Sequence, residues 1–204
     1  MLFGCGGSNL DKYRDRLSDY RYAALRLANE RFTLDVISGV REAPYVLDGT
    51  SAAEKTEYTV FTLKPRGDYA AGMTNIPLKV TVGGAAYELQ LAAHPFKGSY
   101  SAEIASALSA NECASLGLTM NGEDLTVAAC APDAIDGEYA LTIALDAAGN
   151  DLKGRKEYEI YLRLTENTIN AAGGWYWFAS FAGADERVSV LINAADGEVA
   201  ALRN

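Results

Sequence analysis

Apolar residues recur at two different periods along this chain, and the change of period divides it. Over residues 8–31, Leu10, Tyr13, Leu17, Tyr20, Ala24 and Leu27 are spaced alternately by three and four, which lays one apolar stripe along a helix. Ser8 with Asp11 three positions later matches a capping box at its start. The opposite face carries Lys12, Arg14, Arg16, Arg21 and Arg26 among Asp11, Asp15 and Asp19. The spacing predicts an amphipathic helix, docked on its own domain or, over three heptads, able to pair with a partner helix. From Phe32 the period falls to two. Residues 32–38 and 58–63 read as strands, separated by a long loop over 39–55 that Pro44 and Asp48-Gly49 mark.

Two hairpins follow with their register legible. Gly83-Gly84 is a two-residue turn that sets Val80 opposite Tyr87, Leu78 opposite Leu89 and Lys79 opposite Glu88. Residues 100–104 add a further strand. Asn121-Gly122 favours a type I′ turn, with Met120 facing Glu123, Leu118 facing Leu125 and Leu116 facing Val127. Extending that ladder brings Cys113 opposite Cys130, so the two are candidates for a disulfide, with two free thiols on a frayed strand end as the alternative.

Residues 136–153 satisfy both periods. Alanine content and Asp136 as a cap favour helix. Four strands then read as an antiparallel meander over 157–164, 175–181, 187–193 and 198–202. Residues 140–148 (Ala-Leu-Thr-Ile-Ala-Leu-Asp-Ala-Ala), Trp175-Tyr176-Trp177 and the ending Val190-Leu-Ile-Asn-Ala-Ala-Asp-Gly-Glu-Val199 give this third a resemblance to the PepSY module. Asn193 stands where that family usually has Asp. The resemblance implies a helix-plus-strands module that is extracytoplasmic and non-catalytic, and some such modules inhibit a peptidase. At the other end, Leu2-Phe3-Gly4-Cys5 before Gly6-Gly7-Ser8-Asn9 resembles the lipobox and tether of bacterial lipoproteins, with Phe3 in place of a small residue. That resemblance makes Cys5 a lipidation candidate. The location it implies is extracytoplasmic, lipid-anchored at the cell surface. Without an upstream signal peptide the chain would be cytoplasmic.

Composition narrows the chemistry. A net charge of -9 over 204 residues argues against a nucleic-acid partner, and no apolar run reaches the length of a membrane span. The acidity is concentrated. Residues 98–152 hold nine carboxylates and no Lys or Arg, which reads as a solvated face. One histidine, His94, and three cysteines leave no metal set, and no cofactor is implied. Neither a nucleophile motif nor a phosphate-binding glycine pattern occurs. Alternation sends Trp175 and Trp177 to one face of their strand and Tyr176 and Phe178 to the other. One pair should pack under the helix, leaving the other as an aromatic binding surface or an interdomain contact.

These readings give an α+β protein: a tether and helix over 1–31, an antiparallel sandwich-like β domain over 32–133, and a PepSY-like αββββ module over 134–204. The expected function is a non-catalytic, surface-associated module binding a protein or peptide partner. Inhibition or chaperoning of a peptidase is the alternative, and a small carboxylate-based hydrolase the third.

Overall fold

The computed structural model describes residues 9–204 apart from 47, 53, 96, 156 and 168–172. In chain order the elements are α1 (Asn9–Lys12), β1 (Leu17–Ala28), β2 (Phe32–Glu42), β3 (Lys55–Pro65), β4 (Asn75–Val82), β5 (Ala85–Ala93), β6 (Tyr100–Ile104), α2 (Ala110–Ala114), β7 (Ser115–Met120), β8 (Glu123–Ala129), α3 (Gly137–Leu152), β9 (Glu159–Glu166), β10 (Trp175–Ala182), β11 (Arg187–Asn193) and β12 (Val199–Arg203). Strands make up 52% of the structure, and the α+β expectation is overturned. Where an N-terminal helix was expected there is one four-residue helix, a 3-10 turn and then the twelve-residue strand β1. With that helix goes its role as a pairing element.

The chain divides into two compact units that do not follow its order: Met1–Tyr22 with Arg41–Lys55 and Asp133–Asn204, and Ala23–Val40 with Thr56–Pro132. The second unit is not a sandwich. Its strands run β1-β2-β3-β6-β5-β4-β7-β8, and β8 returns to β1 through Leu25↔Ala129 and Arg26↔Ala128, closing an eight-stranded antiparallel barrel. Both hairpins have the expected registers, with Val80↔Tyr87 and Lys79↔Glu88 at one turn and Leu116↔Val127 and Met120↔Glu123 at the other. Asn121 and Gly122 both have positive φ, as a type I′ turn demands. Inward residues alternate most plainly along β2, β4 and β7, and Phe32, Leu34, Val36, Phe61, Leu78 and Val127 fill the interior. A barrel of eight strands is just wide enough for side chains to do so.

In the first unit the strand order is β12-β11-β10-β9-β1, antiparallel except for the parallel pair of β1 with β9. One face of this sheet is apolar and lies against α3. Ile160, Leu162, Trp177, Phe181, Val190 and Ile192 are buried on that face, and α3, which packs against β10 and β11, buries Ala140, Leu141, Ala144 and Ala148. Asp136 caps α3 by accepting from Tyr139 N at 2.7 Å. The other face presents Glu159, Tyr161 and Arg163 from β9 and Ser180 from β10. Period two forces that division: every second residue of β9 is polar or amphipathic, and these point away from α3.

Candidate functional site

The polar face of the first unit's sheet is largely covered where Glu159 and Tyr161 lie. Glu159 is 1% exposed and Tyr161 2%. The segment joining β2 to β3, residues 43–54, supplies much of the cover. Glu42, at the end of β2 and also buried, accepts from Ala52 N at 2.7 Å with one carboxylate oxygen and from Val46 N at 3.4 Å with the other. Glu159 accepts from Gly49 N at 3.0 Å. Gly49 has φ +85°, and a Cβ there would lie 2.8 Å from Ala184 N, so only glycine allows the backbone this close. Ala43 N donates to Glu54 O across the base of the loop. The ammonium of Lys55 donates to Ala52 O at 2.6 Å and to Ser51 Oγ.

Beside these acids lies an ion pair. Arg163 Nε donates to Asp19 Oδ2 at 2.6 Å, and Arg163 Nη2 donates to the hydroxyl of Tyr45. Tyr45 meets the Tyr161 ring edge-on at 6.3 Å, and Arg41 lies over the Tyr45 ring. Asp19 is buried, and the Arg163 side chain retains 26% exposure.

The electrostatics follow from burial. Desolvation disfavours the charge on Arg163, but Asp19 and Tyr45 outweigh it and hold the guanidinium above its ordinary pKa. Burial lowers Lys55, against the opposing pull of Glu42, Asp15 and Glu159. Burial raises Tyr161 far above the usual tyrosine range, and the Glu159 carboxylate beside it adds to the effect. Three buried side-chain oxygens of this unit, Ser18 Oγ, Glu159 Oε2 and Tyr161 OH, have no hydrogen-bond partner among the described residues. Each such atom costs about 1–3 kcal/mol.

Above this foundation the loop presents Tyr45 at 41% and Val46 at 46% exposure. The described residues of the loop are therefore held from beneath by charge and backbone hydrogen bonds. The oxygens of Glu42, and one of Glu159, are occupied by loop amides. Among the described residues no group of three or more His, Cys, Asp or Glu side chains is placed to hold a metal ion.

The aromatic run expected to bind is divided as alternation requires. Trp177 is buried under α3, its Nε1 donating to Ile135 O at 2.9 Å and its ring stacked 6.3 Å from Tyr20. Trp175 shares that face, while Tyr176 and Phe178 lie on the other, and all three are half-buried. The ladder that was to join Cys113 to Cys130 stops at Ser115↔Ala128, because Cys113 is taken into α2; both cysteines are thiols. Cys5 lies outside the described residues. The barrel offers a shallow outer trough of about 520 Å³ along β5, β4, β7 and β8, lined by Thr81, Gly117, Thr126 and the paired Lys79 and Glu88.

Sequence reasoning found the loop but not its anchors. Glu42 and Glu159 stand 117 positions apart, and alternation in β9 assigns Glu159, Tyr161 and Arg163 only to the face opposite the apolar one. A charged face reads as a wet one until its cover is known. Comparison with protein-family models, with curated proteins and with solved structures finds no match.

Proposed function

We propose that this chain is a non-catalytic recognition module that engages a protein or peptide partner through the loop over residues 43–54, with Tyr45 and Val46 as its contact residues. One observation carries the reading: two nearly sealed carboxylates, Glu42 and Glu159, are spent on loop amides, and the loop they hold exposes an aromatic and an aliphatic side chain. Burying a carboxylate costs several kcal/mol unless hydrogen bonds compensate it. A mere connection between two strands has no need of that cost. Fixing a loop in advance lowers the entropy lost on binding, which is how rigid aromatic contacts gain affinity.

The test is a peptide-display selection on the immobilised protein, with Tyr45→Ala/Val46→Ser selected in parallel. The expected result is a sequence family that binds the native protein and loses at least about tenfold in affinity on the variant, 1.4 kcal/mol. Peptides recovered equally by both proteins would refute the loop as the contact.

A second reading draws on the resemblance of residues 134–204 to the PepSY module, here α3 and β9–β12. It makes the chain an inhibitor or chaperone of a peptidase, acting outside the cytoplasm and tethered through a lipidated Cys5. Unchanged activity of a peptidase encoded beside it, at saturating protein, would remove that reading.

A further inference from the structure

The sheet of the first unit ends on β12, whose outer edge has no strand neighbour among the described residues. All five residues of β12 are exposed. Sheet edges are usually blunted by lysine, proline, bulges or brevity. β12 is short and irregular beside Leu191 and Ile192, yet it carries only one basic residue, Arg203. Its apolar side chains stand out: Val199 is 40% exposed and Leu202 46%. They pair with Ile192 and Val190, which are buried, so both point to the α3 side of the sheet.

One ridge of α3 continues that apolar surface. Tyr139, Ile143 and Asp151 recur at multiples of four, and the ridge runs alongside β12. At its start, a Cβ on Gly197 would lie 3.0 Å from Ile143 Cδ1, 3.5 Å from Ile135 Cδ1 and 3.7 Å from Tyr139 Cε1. At its end, Asn204 Nδ2 donates to Asp151 Oδ1 at 2.9 Å. Tyr139 is 55% exposed. An open strand edge and an exposed apolar strip thus lie side by side.

We propose that β12 pairs antiparallel with β12 of a second copy of this chain. The sheets become continuous, the two α3 helices lie on one face, and Tyr139, Val199 and Leu202 of both copies cover one another. Charge favours a second copy over an unrelated strand. Glu198 precedes the strand and Arg203 ends it. Antiparallel pairing across a two-fold axis brings the start of each strand to the end of the other, so both opposite charges meet twice. A closed two-fold interface of this kind is the commonest in soluble oligomers.

Light scattering after size exclusion, from about 1 to 200 µM, tests it on the whole chain. The native protein should rise with concentration from 21.8 kDa to twice that mass. Val199→Lys/Leu202→Lys, at exposed positions, should weaken the dimer at least about tenfold with unchanged circular dichroism. Glu198→Arg and Arg203→Glu should each weaken it, and the two combined should restore it. Amide exchange over residues 199–203 should slow as the native protein is concentrated. A monomer at every concentration would overturn the proposal and leave the edge to a strand of another protein. So would a dimer that the lysine variant retains.

Discussion

Arg163→Met is the sharpest probe of the polar face. The guanidinium is 2.6 Å from an Asp19 carboxylate whose side chain is 4% exposed. Methionine keeps most of the stem and removes the charge, so Asp19 stays buried without its cation. Breaking one side of a buried pair costs about 3–5 kcal/mol. Arg163 retains a quarter of its exposure, and the vacated space lets water approach Asp19, which favours the lower end, about 3 kcal/mol. Adding Asp19→Asn should recover about 1–2 kcal/mol, because the uncompensated charge is what the single variant leaves behind. Urea unfolding followed by tryptophan fluorescence measures this cleanly: both tryptophans lie in β10, so the signal reports the first unit. Lys79→Met is the control. Lys79 and Glu88 form an exposed pair on the barrel, and its loss, followed by circular dichroism, should leave the urea midpoint essentially unchanged. An Arg163→Met protein within about 1 kcal/mol of native, or a double variant no better than the single, would refute the reasoning.

Tyr161 is held neutral by burial and by Glu159, so its folded pKa lies above its unfolded one. Above about pH 10 the unfolded chain releases a proton that the folded chain keeps, and stability falls as pH rises. Tyr161→Phe should remove up to about 1.4 kcal/mol per pH unit of that loss, measured as urea midpoints between about pH 10 and 11.5; parallel curves for the two proteins would count against it. Gly49→Ala forces a Cβ to within 2.8 Å of the backbone at Ala184 and should shift the amide resonances of the loop while leaving those of the barrel in place. Trp177→Phe loses volume under α3 and the bond to Ile135 O, and should lower unfolding stability by about 2–3 kcal/mol. Cys113 and Cys130 should both alkylate in denaturant without prior reduction, and a mass that rises by two hydrogens on reduction would show a bond instead.

What the sequence revealed and what it hid separate along physical lines. Hairpin registers were legible because turn chemistry and cross-strand pairing are local: Gly83-Gly84 and Asn121-Gly122 fix their ladders within a few residues. Asp136 and the alanines of α3 were legible for the same reason. β1 was not. Leu17, Ser18 and Asp19 are all buried, as are Ala23, Ala24 and Leu25, so both faces of β1 are covered along these stretches. A strand covered on both faces does not alternate, and its apolar residues happened to fall at helical spacing. Charges that looked like a solvated helix face are instead paired, Asp19 with Arg163 and Arg26 with Asp35. Once β1 is read as helix, β8 has no strand to close on, and a barrel reads as an open sandwich.

The same blindness covered the candidate site. Its anchors come from β1, β2 and β9, which only the fold assembles, and each is a charged residue on a strand, the type that pattern reading assigns to water. Yet charge suits the proposed role. An apolar patch beneath the loop would hold it by area and tolerate sliding, whereas Glu42 and Glu159 select particular amides, those of Val46, Ala52 and Gly49, and so set where Tyr45 and Val46 emerge. Buried ionic groups often contribute less stability than apolar replacements would, and specificity of conformation is the best-attested return on that loss.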